Sequence, residues 1–153
     1  MNNSYSYITS HPVFDKFLKA LLPKKTPFIY VDNVLNEYDD IIFLDAREKH
    51  EFEVSHIENA IHIGFKEFDL NDILKLKMNK KIVVYCSIGW RSGHVGNKML
   101  DAGIKNVYNL YGGIFEWCNA KQNLYRYKDK VNQIHIYSKH WGKWVRKGVE
   151  RIK

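Results

Sequence analysis

The stretch KKIVVYCSIGWRSGHVGNKML, Lys80 to Leu100, constrains this chain more than any other. Ile82 to Tyr85 form a continuous apolar and aromatic run, bounded by lysines on one side and Cys86 on the other. Such a run suits a strand buried on both faces of a parallel sheet. An amphipathic helix is expected after Arg91, and Ser92 is suited to cap it. Cys86 then falls at the carboxyl end of a strand and Arg91 at the mouth of a helix. Open α/β sheets bind ligands at that edge. A short loop curled between strand and helix turns successive backbone N–H groups inward, a nest that holds an anion with help from the helix dipole. With its sulfur at the centre, Cys86 is expected to favour the thiolate. Gly89 permits a positive φ or a close backbone approach. Arg91 adds a fixed charge and a planar fork of donors. The residue types together describe a nucleophilic cysteine in a cradle for an anionic substrate.

Three separated motifs in register give the chain a resemblance. YCSIGWRS is similar to the active-site loop Cys-x-x-Gly-x-Arg of single-domain rhodanese-like sulfurtransferases. LDAREKHEFEVSHIENAIHI, Leu44 to Ile63, is similar to that family's Asp-x-Arg … Glu-[Phe/Tyr] … His-Ile-x-x-Ala segment. NVYNLYGGIFEW, Asn106 to Trp117, resembles its Val-x-x-Leu-x-Gly-Gly-x-x-x-Trp segment. The resemblance covers roughly Phe28 to Ala120. It implies an α/β fold, a parallel five-stranded sheet with helices on both faces. It also implies that Asp45 and Arg47 lie near the loop and support it, and that His56 is structural.

Composition agrees with a folded domain. At 153 residues and 45% hydrophobic content, the chain can bury a real core. No apolar run is long enough to span a membrane, and MNNSYSYITS lacks the pattern of a signal peptide. Two distant cysteines make no disulfide framework, which points to a reducing, cytoplasmic location. The net charge of +7 is unevenly placed. Up to Ala120 there are 14 Lys+Arg against 15 Asp+Glu; from Lys121 onward there are 10 against 2. Basicity therefore belongs to the tail.

Three segments are expected: residues 1–27, a helix packed on the domain; 28–120, the rhodanese domain; and 121–153, a basic extension containing a helix. The first helix is expected to be capped by Ser10, with Pro12 in its first turn and Phe14, Phe17, Leu18, Leu21 and Leu22 on its apolar face. Pro23 and Pro27 end it. Phe28 to Val31, Ile41 to Leu44, Ala60 to Ile63 and Val107 to Leu110 read as further strands. Phe65 to Lys77 reads as short helical pieces with Phe68, Ile73 and Leu76 turned inward. Arg47 and Glu51, four apart, are placed to pair on a helix. Close packing is the expected reason for Gly93 and Gly96, and Gly103 is the expected helix end. His140 to Lys153 reads as a helix docked by its tryptophans, in preference to an interfacial helix on anionic lipid. No motif supports specific binding of nucleic acid there.

The resemblance implies a sulfurtransferase. Cys86 would take the outer sulfur of an anionic donor such as thiosulfate and pass it to cyanide, a thiol or a carrier protein. Cys86 and Arg91 are the expected catalytic pair. Ser87, Ile88, Gly89, Trp90 and Ser92 surround the substrate, with Asp45, Arg47 and Glu51 in support. Trp90 either shapes access or covers the loop. Cys118 is expected to be a packed cysteine rather than a resolving thiol. No metal or organic cofactor is needed, and the spacing of His50, His56 and His62 matches no common ligand pattern. One rival is a phosphatase or arsenate reductase of the same fold. The phosphatase loop, Cys-x5-Arg, is one residue longer than the four that separate Cys86 from Arg91 here. The other rival is a non-catalytic rhodanese module that binds or regulates a partner.

Overall fold

The structure, a computed structural model, describes residues 11–76 and 79–153. Among these residues, five parallel strands form the central sheet: β1 (Phe28–Ile29), β2 (Ile41–Asp45), β3 (Ile61–His62), β4 (Lys81–Tyr85) and β5 (Val107–Leu110). They lie in the order β1-β5-β4-β2-β3. β4 is central, in register with β2 from Ile41↔Lys81 to Asp45↔Tyr85. Successive residues of a strand face opposite sides, so β4 feeds two cores. Val83 and Tyr85 join one hydrophobic cluster, Ile82 and Val84 the other. The continuous apolar run is thereby explained. Val83 and Val84 are wholly unexposed, and burying such a side chain contributes roughly 1.5–3 kcal/mol.

Helices cover both faces. α1 (Pro12–Leu21), α2 (Val31–Asn36) and α6 (Gly113–Asn119) supply Phe14, Leu18, Val34, Ile114 and Phe115 to the first cluster. α4 (Leu70–Lys75) and α5 (Trp90–Asp101) supply Ile73, Val95 and Met99 to the second. The remaining helix of the domain, α3 (Lys49–Val54), follows β2 and carries Glu51. α5 ends where Gly103 takes φ +84°.

Several local expectations are corrected. Ser10 lies outside the described residues; His11 caps α1 instead, its Nδ1 accepting the Phe14 N–H at 3.3 Å. β1 stops at Ile29 and Val31 opens α2. As an edge strand β1 pairs with β5 alone, and their register ends at Ile29↔Leu110. β3, at the other edge, is likewise shorter than Ala60 to Ile63. In the segment expected to run from Phe65, helix is confined to α4; Lys77 lies outside the described residues, and Leu76, expected inside, is 40% exposed. Leu76 is the C-cap, already turned past the face that buries Ile73.

The largest correction is in the tail. Residues 121–153 form β6 (Leu124–Arg126), β7 (Asp129–Val131), β8 (Gln133–His135), the one-turn helix α7 (Lys139–Gly142) and β9 (Glu150–Ile152). The long helix expected from His140 is absent, and β9 pairs in parallel with β8. Tertiary partners take the backbone groups a helix would use. The Arg146 N–H donates to Asn119 Oδ1 at 2.7 Å, and the Trp144 carbonyl accepts from Asn119 Nδ2 at 2.7 Å. Arg151 donates to the carbonyls of Gly142 and Val145. Val145 and Val149 join the first cluster, while Trp144 stacks on Phe14 and Phe17 at 5.1 and 5.6 Å. No helix among the described residues is long and apolar enough to cross a membrane.

Candidate active site

The loop after β4 closes around the sulfur of Cys86. Gly89, at φ +115°, is the N-cap of α5, and its N–H donates to Cys86 Sγ at 3.1 Å. A side chain would be strained at that φ. The helix begins at Trp90, so Ser92 lies within its first turn instead of capping it. Its hydroxyl lies 2.7 Å from Asn109 Oδ1 and 3.5 Å from Cys86 Sγ. Asn109, on β5 and wholly buried, also donates to the Gly89 carbonyl at 2.8 Å. Sequence reasoning missed this residue. The available signal was a polar side chain inside VYNL, where a buried strand otherwise wants an apolar one. From the other side, the N–H groups of Ile114 and Phe115 donate to the carbonyls of Cys86 and Ser87 at 2.9 and 3.1 Å. Those two carbonyls are drawn toward α6. A Cβ on Gly113 would collide with both.

Arg91 is held by Glu51. The guanidinium donates through two nitrogens to the two carboxylate oxygens, at 2.7 and 2.9 Å, and to Ser87 Oγ at 3.0 Å. The expected Arg47–Glu51 pair does not form, because Arg47 precedes α3 and turns to Asp45. Burial disfavours the charge on Glu51, but the Arg91 hydrogen bonds and charge outweigh it and hold the carboxyl at about 2. Arg91 is raised in turn, the cost of burial being overcome by Glu51 and by the nearby Cys86. The fork of Arg91 is therefore committed to protein, with its charge beside the thiol.

Asp45 and Arg47 lie beneath this layer. Both are wholly buried, and Arg47 Nε and Nη2 reach the Asp45 carboxylate at 2.7–3.2 Å. Arg47 also donates to the Ser55 carbonyl at 2.6 Å and so ties β2 to the end of α3. Neither residue lines the cleft above Cys86. The three histidines of this region have separate tasks. His56 accepts the Tyr127 N–H at Nε2 and contacts the Ile57 carbonyl through Nδ1, pinning the tail to the domain. His62 contacts the Arg47 carbonyl at 2.7 Å, and His50 meets His135 edge to face at 5.0 Å.

Cys86 opens into a cleft of about 420 Å³. Ser87, Ile88, Trp90 and Arg91 of the loop line it with Glu51 of α3, whereas Gly89 and Ser92, expected around the substrate, do not: the Gly89 N–H and the Ser92 hydroxyl face Cys86 Sγ from within the loop. Leu21 of α1 and three residues of the tail, His135, Tyr137 and Trp141, line it too. No motif announced that the tail would reach the site. The Tyr137 ring lies 5.1 Å from the Arg91 guanidinium carbon. Burial holds His135 below the ordinary imidazole range, against the pull of Glu51, and its Nδ1 accepts the Tyr137 N–H at 3.0 Å. Trp90 is 40% exposed at the rim, between Phe65 and His94. Cys118 lies outside the cleft lining. Burial pushes its thiol up, away from the range of a reactive cysteine.

A strand-end cysteine, a glycine-turned loop and a buried arginine on a five-stranded parallel sheet define a class of cysteine-loop α/β domains. The chain belongs to the rhodanese-like domain family, which matches it over residues 28–120. Over 90 residues it is 37% identical to the tRNA uridine(34) hydroxylase of Photorhabdus laumondii, an alignment covering 56% of this chain and 26% of that protein. For the tRNA uridine(34) hydroxylase of Yersinia pestis the figures are 38%, 56% and 25%. The chain spans about a quarter of the length of these relatives. Among solved structures it resembles a rhodanese-related protein from Thermoplasma volcanium, with TM-score 0.57, 26% identity, and coverage of 65% of this chain and 98% of that one. In fold alone it resembles a thiosulfate sulfurtransferase from Pseudomonas aeruginosa, with TM-score 0.63, 23% identity, and coverage of 86% and 26%.

Proposed function

We propose that this chain is a sulfurtransferase that carries a sulfane sulfur on Cys86. The observation that carries the reading is the Gly89 N–H aimed at Cys86 Sγ within a Cys-x-x-Gly-x-Arg loop. A donor such as thiosulfate meets the thiolate at its outer sulfur. A new S–S bond forms to Sγ, the donor's own S–S bond breaks, and sulfite leaves with the electron pair. The loop's N–H groups hold the resulting persulfide anion; Arg91, its fork taken by Glu51, places a paired positive charge beside the sulfur. An acceptor thiol or cyanide then removes the sulfane sulfur and Sγ regains its electron pair, a double displacement. No step calls for a metal or an organic cofactor. A reducing compartment, the cytoplasm, suits two cysteines that are both unpaired.

Intact mass after incubation with thiosulfate or polysulfide tests this. Wild type gains one sulfur and Cys86→Ser none, and a cyanide chase removes it as thiocyanate. No gain with either donor ends the reading.

A second reading comes from the relatives, which are named for tRNA. The chain would then be part of a larger tRNA-modifying system, its basic tail favouring RNA. Retardation of bulk tRNA by the chain at physiological salt, lost when tail lysines are neutralised, would favour it; no retardation would leave the first reading alone.

A further inference from the structure

The cleft is larger than the donor needs. Its 420 Å³ lies within the range, roughly 300–1,000 Å³, of sites that hold drug-sized organic molecules. Thiosulfate or cyanide, each a few heavy atoms, leaves most of it unfilled. Two aromatic pairs line the space. Phe65 and Trp90, with ring centroids 6.0 Å apart, come from the family region; Tyr137 and Trp141, 6.3 Å apart, come from the tail beyond it. Leu21 and Ile88 add aliphatic surface. Cys86 is only 1% exposed, so a sulfane sulfur on it stands at the floor. A slim thiol reaches that floor, whereas a cysteine on a flat protein surface does not. Tyr137 is 55% exposed and held at φ +64°, a conformation that disfavours a bulky side chain. Strain of this kind concentrates at ligand contacts.

Resting on the sulfurtransferase reading, we infer that the acceptor is a low-molecular-weight organic thiol with an apolar body. That body lies against Trp90, Phe65, Trp141 and Tyr137, and Tyr137 is a specificity-determining residue. In the transfer the acceptor thiolate attacks the sulfane sulfur. An S–S bond forms to the acceptor, the bond to Sγ breaks, and the electron pair returns to Cys86. The acceptor leaves as its persulfide and nothing else is oxidised or reduced.

The test loads wild type and Tyr137→Gly with polysulfide, verifies one added sulfur by mass, and follows its loss to 2-phenylethanethiol and to 2-mercaptoethanol. Glycine removes the ring and suits the backbone at that position. Wild type is expected to prefer the aromatic thiol by about tenfold or more, and the variant to lose at least about threefold of that preference. Equal rates with both thiols overturn the inference, as does a preference the variant leaves intact. A persulfide stable to both thiols overturns it in favour of a carrier protein. In all three cases the sulfurtransferase reading stands, because Cys86 has taken up sulfur. A chain that fails to load shows the failure of that reading before any thiol is added, and this inference falls with it.

Discussion

Residues 28–120 and residues 121–153 both reach the cleft, by different structural means. The first region is mildly acidic, with 10 Lys+Arg against 14 Asp+Glu, and builds its site on long-range strand register: β4 fixes Cys86, β2 fixes Asp45, and β5 fixes Asn109. The tail is strongly basic, carries short strands and a one-turn helix, and is held by side chains reaching for backbone. His56 accepts the Tyr127 N–H, Asn119 holds Trp144 and Arg146, and Arg151 donates to the Gly142, Val145 and Arg146 carbonyls. The tail's three arginines, Arg126, Arg146 and Arg151, all donate to backbone carbonyls, those of Val54, Cys118 and Gly142 among them. On the proposed function this is a division of labour: damage to the sheet edge should end the chemistry, whereas damage to the tail should change what the site admits and how firmly it is held.

The sharpest break is Cys86→Ser. Sulfur uptake should fall by on the order of a thousandfold or more, with an unchanged circular dichroism spectrum. Retained uptake would move the chemistry away from the sheet edge. Gly113→Ala comes next. The new methyl would strike the Cys86 and Ser87 carbonyls, and its backbone sits at φ +59°, so a loss of roughly 3 kcal/mol in stability is expected. Urea unfolding measures it, and a loss below half that size would show that the loop yields.

Trp144→Ala probes the other region. Removing the half-buried ring from Phe14 and Phe17 should cost about 2–3 kcal/mol, a fall in Tm of roughly 5–10 °C by calorimetry. Uptake of sulfur from thiosulfate should persist. If it vanished, the two regions would not be separable.

Glu51→Gln gives the smallest effect and depends on pH. The folded carboxyl sits at about 2, below its ordinary 4.5. A depressed carboxylate stabilises fully above its unfolded value, and that contribution disappears as pH falls through the folded value. Wild type should exceed the variant by about 2 kcal/mol at neutral pH. The gap should narrow between about 4.5 and about 2, as read by unfolding at several pH values. A gap independent of pH would show that the Glu51–Arg91 pair is not its source.

Much of the sheet edge could be read from residues alone. The run Ile82 to Tyr85 is apolar because β4 is covered on both faces, and a glycine three residues after a strand-end cysteine foretells a loop turned by positive φ. The two helix readings that failed share a cause. Arg47 and Glu51 have the spacing of a helical pair, and Trp141, Val145, Val149 and Ile152 have the period of a helix stripe. Spacing reports which side chains share a face if the helix exists; it carries no information about competing partners. Arg47 had Asp45 two residues away, and the backbone from Trp144 to Arg146 had Asn119.

The sequence by itself determined the parallel sheet, the order of motifs along it and the cysteine loop at its carboxyl edge. The apolar run Ile82 to Tyr85 and Gly89 encode the strand and its loop within a few residues of one another, and the resemblance of three motifs to a known family implied the rest of the sheet. Only the tertiary structure decided that Glu51 holds Arg91, forty residues away. Only there does Asn109 secure the loop and do Tyr137 and Trp141 line the cleft. These are contacts between segments with no pattern in common, brought together because burying a charge or a ring requires whichever partner the packed chain sets beside it.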